Sequence, residues 1–269
     1  MRALRQIDAW PVDFAAAGVV DPGGTTHVHG DPTRAVRLAS LSKPVAALAF
    51  LVAAEEGVVD LDEDAGPPGS TVRHLLAHTS GLPFDGLEPI ARPGHRRIYS
   101  NTAFQVLADH LAARAEMPFA QYVREAVCEP LGIALDPEGD PGSGMHASLA
   151  DVLAIGRELL FSPRLVAAET RDEMVGVQFH GLSGVLPDHG RFDPLDWGLG
   201  VQRNTRPPTW MGAQTSASAF GHFGGSGTFL WVDPDARVVC AALTTRGFGE
   251  WAKEAWPPFA DAVLAELAP

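Results

Sequence analysis

Lysine is nearly absent from this chain: Lys43 and Lys253 stand among 20 basic residues, so the other 18 are arginines. Positive charge is scarce overall, with 33 acidic residues giving a formal net charge of −13. A surface of that sign repels phosphate backbones and anionic headgroups, which argues against nucleic acid as a partner. Long apolar runs are missing too. The longest, residues 45–54, is well short of the roughly 20 residues that span a bilayer, so no membrane segment is expected. Arg2, Arg5 and Asp8 interrupt the N-terminal stretch, which therefore lacks the apolar core of a secretory signal; the chain reads as cytoplasmic. The two cysteines, Cys128 and Cys240, lie far apart in apolar settings and predict buried free thiols without metal-ligand spacing.

What is present suits a compact enzyme. The 269 residues are 46% hydrophobic and 20% charged, enough to bury a core of domain size. Asp21-Pro-Gly-Gly24 separates extended stretches at 12–20 and 25–29, the signature of a hairpin. A third short extended piece covers 35–38. Residues 41–56 are almost wholly apolar up to Gly57, which predicts a central helix buried on every side. Between 71 and 159 the pattern is mostly helical, clearest over 102–116 and 119–127. Residues 181–218 are rich in Gly, Pro and Trp and read as loops beside a binding surface. Strands are expected at 219–223, 228–232 and 237–245, then a helix over 251–267 interrupted at Pro257-Pro258. The resulting expectation is an α/β (α+β) fold, an antiparallel sheet flanked by helices with an inserted, mostly helical lobe. Residues 1–269 form one domain, with the sheet lobe at 1–58 and 219–269 and the helical lobe and loops at 59–218.

Three short motifs carry chemistry. Ser40-Leu-Ser-Lys43 opens the apolar helix, where Pro44 is tolerated because first-turn amides have no intrahelical partner. Ser40 and Lys43 then share a face one turn apart. A serine there sits among free amides at the positive end of a helix, which favours the negative charge that grows on an attacked carbonyl. A chain that fills cationic positions with arginine retains lysine at 43. Arginine cannot give up its proton, whereas a desolvated lysine can act as a base. Tyr99-Ser-Asn101 uses one of two tyrosines and one of two asparagines; a phenol near a lysine can pass protons, and the amide can hold lysine and substrate. By composition about 0.09 Ser-x-x-Lys and about 0.015 Tyr-x-Asn matches arise by chance, a joint event of about one in 700. His222-Phe-Gly224 is expected about once by chance and gains weight only from its place in a strand before Gly225.

Taken in this order, the motifs resemble those of the class C β-lactamases and serine DD-peptidases, with His222 at a position where typical β-lactamases carry lysine. The stretch from His74 to Pro83 is also similar to a segment common among these hydrolases. The resemblance implies a serine acyl hydrolase of small esters, lactams or peptide-like amides, needing no cofactor and no metal. It implies Ser40 as nucleophile, Lys43 as proton acceptor, Tyr99 as proton shuttle and His222 as the third-motif residue. Asn101, Gly224 and Gly225 would bind substrate, with the amides of Ser40 and Gly225 as the oxyanion hole. Esters are favoured as substrates because their leaving groups need least protonation. The alternative is a binding module on the same fold that recognises a peptide or lactam without turnover. His74 and His78, four apart, could share a zinc ion, but no glutamate or third ligand accompanies them. Trp197, Trp210 and Phe223 are aromatic candidates near the third motif.

Overall fold

The computed structural model describes residues 1–161 and 163–268. Its extended segments, in chain order, are β1 (Ala15–Val20), β2 (Thr26–His29), β3 (Val36–Arg37), β4 (Arg97–Ile98), β5 (His146–Ala147), β6 (Gly184–Leu186), β7 (Gly190–Phe192), β8 (Gln202–Arg203), β9 (Phe220–Gly224), β10 (Thr228–Asp233) and β11 (Val238–Thr244). The α-helices are α1 (Ser42–Glu55), α2 (Val72–Leu76), α3 (Thr102–Ala115), α4 (Phe119–Val123), α5 (Glu129–Leu131), α6 (Leu149–Leu160), α7 (Ala168–Val175) and α8 (Glu250–Leu267).

The central sheet is antiparallel in the order β2-β1-β11-β10-β9-β8. Pairing of β1 with β11 joins the two ends of the chain, in the register Val19↔Cys240. Leu230, Val232, Val239 and Ala241 face one core, built with α1, α3 and α6; Phe229, Trp231, Val238 and Cys240 face a second, built with α8 and the N-terminal turn. Helices on both faces explain why these strands read as continuous apolar runs rather than as alternation. Both cysteines are buried free thiols.

Four details depart from the expectations. The short extended piece at 35–38 joins a separate ladder, with Val36 opposite Ala147. The segment at 119–127 is helical throughout but not uniformly α: α4 passes into a π-helical stretch over Arg124–Cys128 and then α5, which ends at a left-handed Gly132. Helix α6, within the stretch read as a helical lobe, lies against the sheet so closely that a Cβ on Gly156 would sit 2.3 Å from Val239. Helix α8 runs unbroken through Pro257 and Pro258. Trp256, Phe259, Ala260 and Val263 are fully buried there. Their packing outweighs the two amide hydrogen bonds that the prolines cannot make.

One buried cation organises the loops around the site. Arg97 is 2% exposed and donates to the carbonyls of Leu195 (2.6 Å), Gln178 (2.8 Å), Phe179 (3.2 Å) and Ala77. A single guanidinium thus ties three loops together just before Tyr99. Removing it strands several buried acceptors, each costing about 1–3 kcal/mol. Arg97→Met is therefore expected to lower unfolding free energy by at least about 3 kcal/mol; a urea midpoint equal to that of the parent protein would refute this role.

Candidate active site

Ser40 lies not in α1 but in the single 3-10 turn Ala39–Leu41 that precedes it. Ala39 has φ +48°, a left-handed conformation that costs an L-residue roughly 1–2 kcal/mol. Neighbouring elements hold this turn in place. Thr228 Oγ1 donates to the Leu38 carbonyl at 2.8 Å, Ser226 Oγ donates to that of Arg37 at 2.7 Å, and Ser42 Oγ accepts from the Met145 amide at 3.2 Å. Gly224 explains how closely β9 approaches: a Cβ there would lie 2.0 Å from the Leu38 carbonyl oxygen. Any side chain at 224 would push the Ser40 turn away from the strand that leads to Gly225.

Lys43, on the first turn of α1, is completely buried. Its Nζ donates to Asn101 Oδ1 at 2.7 Å and to the Gly142 carbonyl at 3.0 Å, and lies 3.3 Å from Ser40 Oγ. The rings of Tyr99 and Phe104 face the same nitrogen, their centroids 4.8 and 5.2 Å away. Among the described residues no carboxylate forms an ion pair with it. Burial pushes its pKa down to about 7, against a weaker upward pull from Asp140 and Asp85. A neutral amine has two N–H donors and one lone pair. With Asn101 and Gly142 taking the donors, the lone pair is left for the Ser40 hydroxyl.

Tyr99 follows β4, and Asn101 immediately precedes α3, whose Ala103 amide donates to Ser100 Oγ at 3.0 Å. Desolvation among its neighbours holds the Tyr99 phenol well above its ordinary range, while a hydrogen bond with Ser40 pulls the other way. The phenol is protonated at neutral pH and begins as a donor. Its ring lies 4.5 Å from His78, 5.7 Å from Trp197 and 5.9 Å from His222, between centroids.

The third-motif residue, set where typical β-lactamases carry lysine, is enclosed rather than open. His222 is 3% exposed. Its Nδ1 lies 2.7 Å from the Phe223 carbonyl, an acceptor, so Nδ1 carries the proton. Burial, then the Lys43 charge, push its pKa down to about 3. The ring is neutral at any working pH and touches no open surface through Nε2. Gly225, in the turn after β9, is exposed.

Beside Tyr99 a groove of roughly 400 Å³ is lined by Phe84, Ile90, Ile98 and Val185, with Arg96 and Arg191 also contributing. Phe84, Ile90 and Val185 are about half exposed, at 49%, 57% and 58%. Apolar side chains left open around a cleft mark a binding surface. Of the aromatic candidates, Trp197 reaches Tyr99, while Trp210 and Phe223 pack together at 5.6 Å in the core beneath α8.

The sequence reading missed Gly142, which accepts from Lys43 and sits in a glycine-rich turn at 139–144, and it singled out no groove residue besides Tyr99, although Val185 and Arg191 lie in the 181–218 stretch read as loops beside a binding surface. His74 and His78 turn to different partners: His74 Nδ1 pairs with Thr71 Oγ1 at 2.9 Å, and His78 Nδ1 accepts from the Ser100 amide at 3.2 Å. Among the described residues no group of His, Cys, Asp and Glu is arranged to hold a metal, and no helix is long and apolar enough to cross a membrane.

Comparison with known proteins bears on the family and fold of the chain. A beta-lactamase crystal structure from Mycobacterium bovis is 49% identical and superposes with a TM-score of 0.96 over 99% of this chain and all of that one. Penicillin-binding protein 4* of Bacillus subtilis is 30% identical over 36% of this chain and 29% of its own length. Esterase EstB of Burkholderia gladioli is 33% identical over 49% of this chain and 34% of its own length. The alignments therefore span about a third of those two curated relatives. The pattern of the Beta-lactamase family matches residues 8–265, nearly the whole chain, and the chain belongs to that family.

Proposed function

We propose that the protein is a serine hydrolase that transfers the acyl group of a small carboxylic ester to Ser40 and then to water. The observation that carries this reading is Lys43: fully buried, with a pKa near 7, and 3.3 Å from Ser40 Oγ. In acylation Ser40 Oγ attacks the ester carbonyl while Lys43 takes its proton. The protonated lysine has three donors for three acceptors: Ser40 Oγ, Asn101 Oδ1 and the Gly142 carbonyl. The amides of Ser40 and Gly225 receive the oxyanion. Tyr99, protonated and against Ser40, gives a proton to the leaving oxygen and regains one from the water that attacks the acyl-enzyme.

Two features favour esters over β-lactams. The His222 ring is neutral and enclosed, so the third motif offers no cation to the carboxylate of a lactam. The groove beside Tyr99 presents apolar side chains, which suits a short alkyl or aryl group. Esterase EstB is named for ester hydrolysis, in keeping with this choice. A panel of p-nitrophenyl esters beside a chromogenic cephalosporin tests it. Ester turnover should exceed lactam turnover by at least about a hundredfold in kcat/KM, the value of two to three kcal/mol in transition-state binding; equal rates would reverse the preference.

A further inference from the structure

In the rings packed against Tyr99, three polar atoms are buried without a protein partner: His78 Nε2, Trp197 Nε1 and His222 Nε2. Their hydrogen-bonding character follows from what the other ring atoms do. His78 Nδ1 accepts from the Ser100 amide, so it bears no proton. Burial holds His78 neutral, which places its single proton on Nε2 and makes that atom a donor. Trp197 Nε1 is a donor in any state. His222 Nδ1 donates to the Phe223 carbonyl, which leaves Nε2 as a bare acceptor.

These rings are in contact. The Trp197 centroid lies 4.7 Å from that of His78 and 5.4 Å from that of His222. Tyr99 packs against all three. None of the three atoms reaches another within hydrogen-bond distance. Left as they stand, two donors and one acceptor would each cost about 1–3 kcal/mol.

We propose that His78, Trp197 and His222 bind one buried water molecule beneath the Tyr99 ring. The donor and acceptor tally matches water: its two lone pairs accept from His78 Nε2–H and Trp197 Nε1–H, and one of its hydrogens goes to His222 Nε2. Two to four polar partners are what an internal water requires. Bulk solvent does not reach these atoms, so the molecule is a fixed part of the site and distinct from the water that attacks the acyl-enzyme.

Its effect on the reaction runs through His222. A donor at Nε2 locks the imidazole in the Nδ1–H form, and that proton fixes the Phe223 carbonyl. The very next peptide, Gly224–Gly225, supplies the Gly225 amide, which under the function proposed above is an oxyanion donor. His78 and Trp197 are thus positioning residues for the oxyanion side of the site, and this kinetic consequence rests on that proposal. The water site itself does not.

Proton NMR of the wild-type protein, labelled with ¹⁵N, separates the two. The expected result is a pair of slowly exchanging N–H signals, His78 Hε2 and Trp197 Hε1, each with a cross-relaxation peak to a long-lived water, and a His222 proton on Nδ1. Ring-current-shifted N–H signals without any water peak would mean that these donors point at aromatic faces instead and would overturn the proposal; so would a His222 proton on Nε2. In Trp197→Phe, which keeps a packing ring and loses the donor, kcat should fall about fivefold or more with KM changed less than about twofold, corresponding to roughly 1 kcal/mol lost only in the transition state. If the water is detected and kcat is unaltered, the site stands but its coupling to the oxyanion amide does not.

Discussion

Replacing Ser40 by alanine should lower ester turnover by about four to six orders of magnitude, the range seen when a catalytic nucleophile is deleted from a machine whose parts act together. The prediction is this large because nothing nearby can substitute. Among the described residues, Ser42 points its Oγ at the Met145 amide and is completely buried, and Ser100 Oγ donates to the Pro83 carbonyl at 2.6 Å. Only Ser40 combines partial exposure with the lone pair of Lys43. A fluorophosphonate probe should add to Ser40 in the parent protein, as read by peptide mass spectrometry, and should leave Ser40→Ala unmodified. Modification that persists in the variant would remove Ser40 from the mechanism. Because the substitution deletes one atom from a half-buried turn, thermal stability should change by no more than about 1 kcal/mol, so loss of activity can be separated from loss of fold.

The second large effect is expected at Lys43. Its pKa near 7 means that the fraction able to accept a proton falls tenfold per pH unit below that value. The kcat/KM of the parent protein should therefore rise with pH through about 7 and level off above it. Lys43→Arg keeps the charge but cannot deprotonate, and should cost about three orders of magnitude in kcat/KM, within the range of a lost general base. The residual activity should lack the ionisation near 7; an unchanged limb would assign that ionisation to another group. The same shift predicts a stability trend of known sign. A lysine with an unperturbed pKa of 10.5 is protonated in the unfolded chain between pH 7 and about 10 while it is neutral in the folded one. Unfolded chains bind the extra proton, so stability should increase with pH across that window, by up to about 1.4 kcal/mol per unit. Above about 10 the trend should reverse as unfolded tyrosines ionise while burial keeps Tyr99 protonated. A Lys43→Met variant should lose the rise between 7 and 10, whatever its effect on absolute stability.

The proposed nucleophile and its proposed base were legible in the sequence because local spacing defines the pair. Three residues along a helix start put Ser40 and Lys43 within reach of one another, and the rarity of lysine and tyrosine marked Lys43 and Tyr99 as retained for more than charge or bulk. The sheet was legible for a similar reason: β9, β10 and β11 are short apolar runs punctuated by turns. The helix boundaries and the unbroken α8 were not, since local propensity at Pro257-Pro258 is overridden by burial of Trp256 and Phe259.

What only the tertiary structure decided is the electrostatic state of the site. Lys43 has a lowered pKa because α1 is enclosed by the sheet and α3, with Asn101 and Gly142 brought to its nitrogen from 58 and 99 residues away. No window of sequence contains that desolvation. The same holds for His222, which the motif set where typical β-lactamases carry lysine and which the fold makes a neutral, buried ring packed against Tyr99. Arg97 and Trp197 belong to no local motif either, and the His74–Pro83 stretch gave no role to His78; the placement of all three comes from loops that meet only when the chain is folded. Sequence spacing determined which groups could react, through the short-range geometry of helix and strand. Burial determined their protonation states, because desolvation is a property of everything packed around a group rather than of its neighbours along the chain.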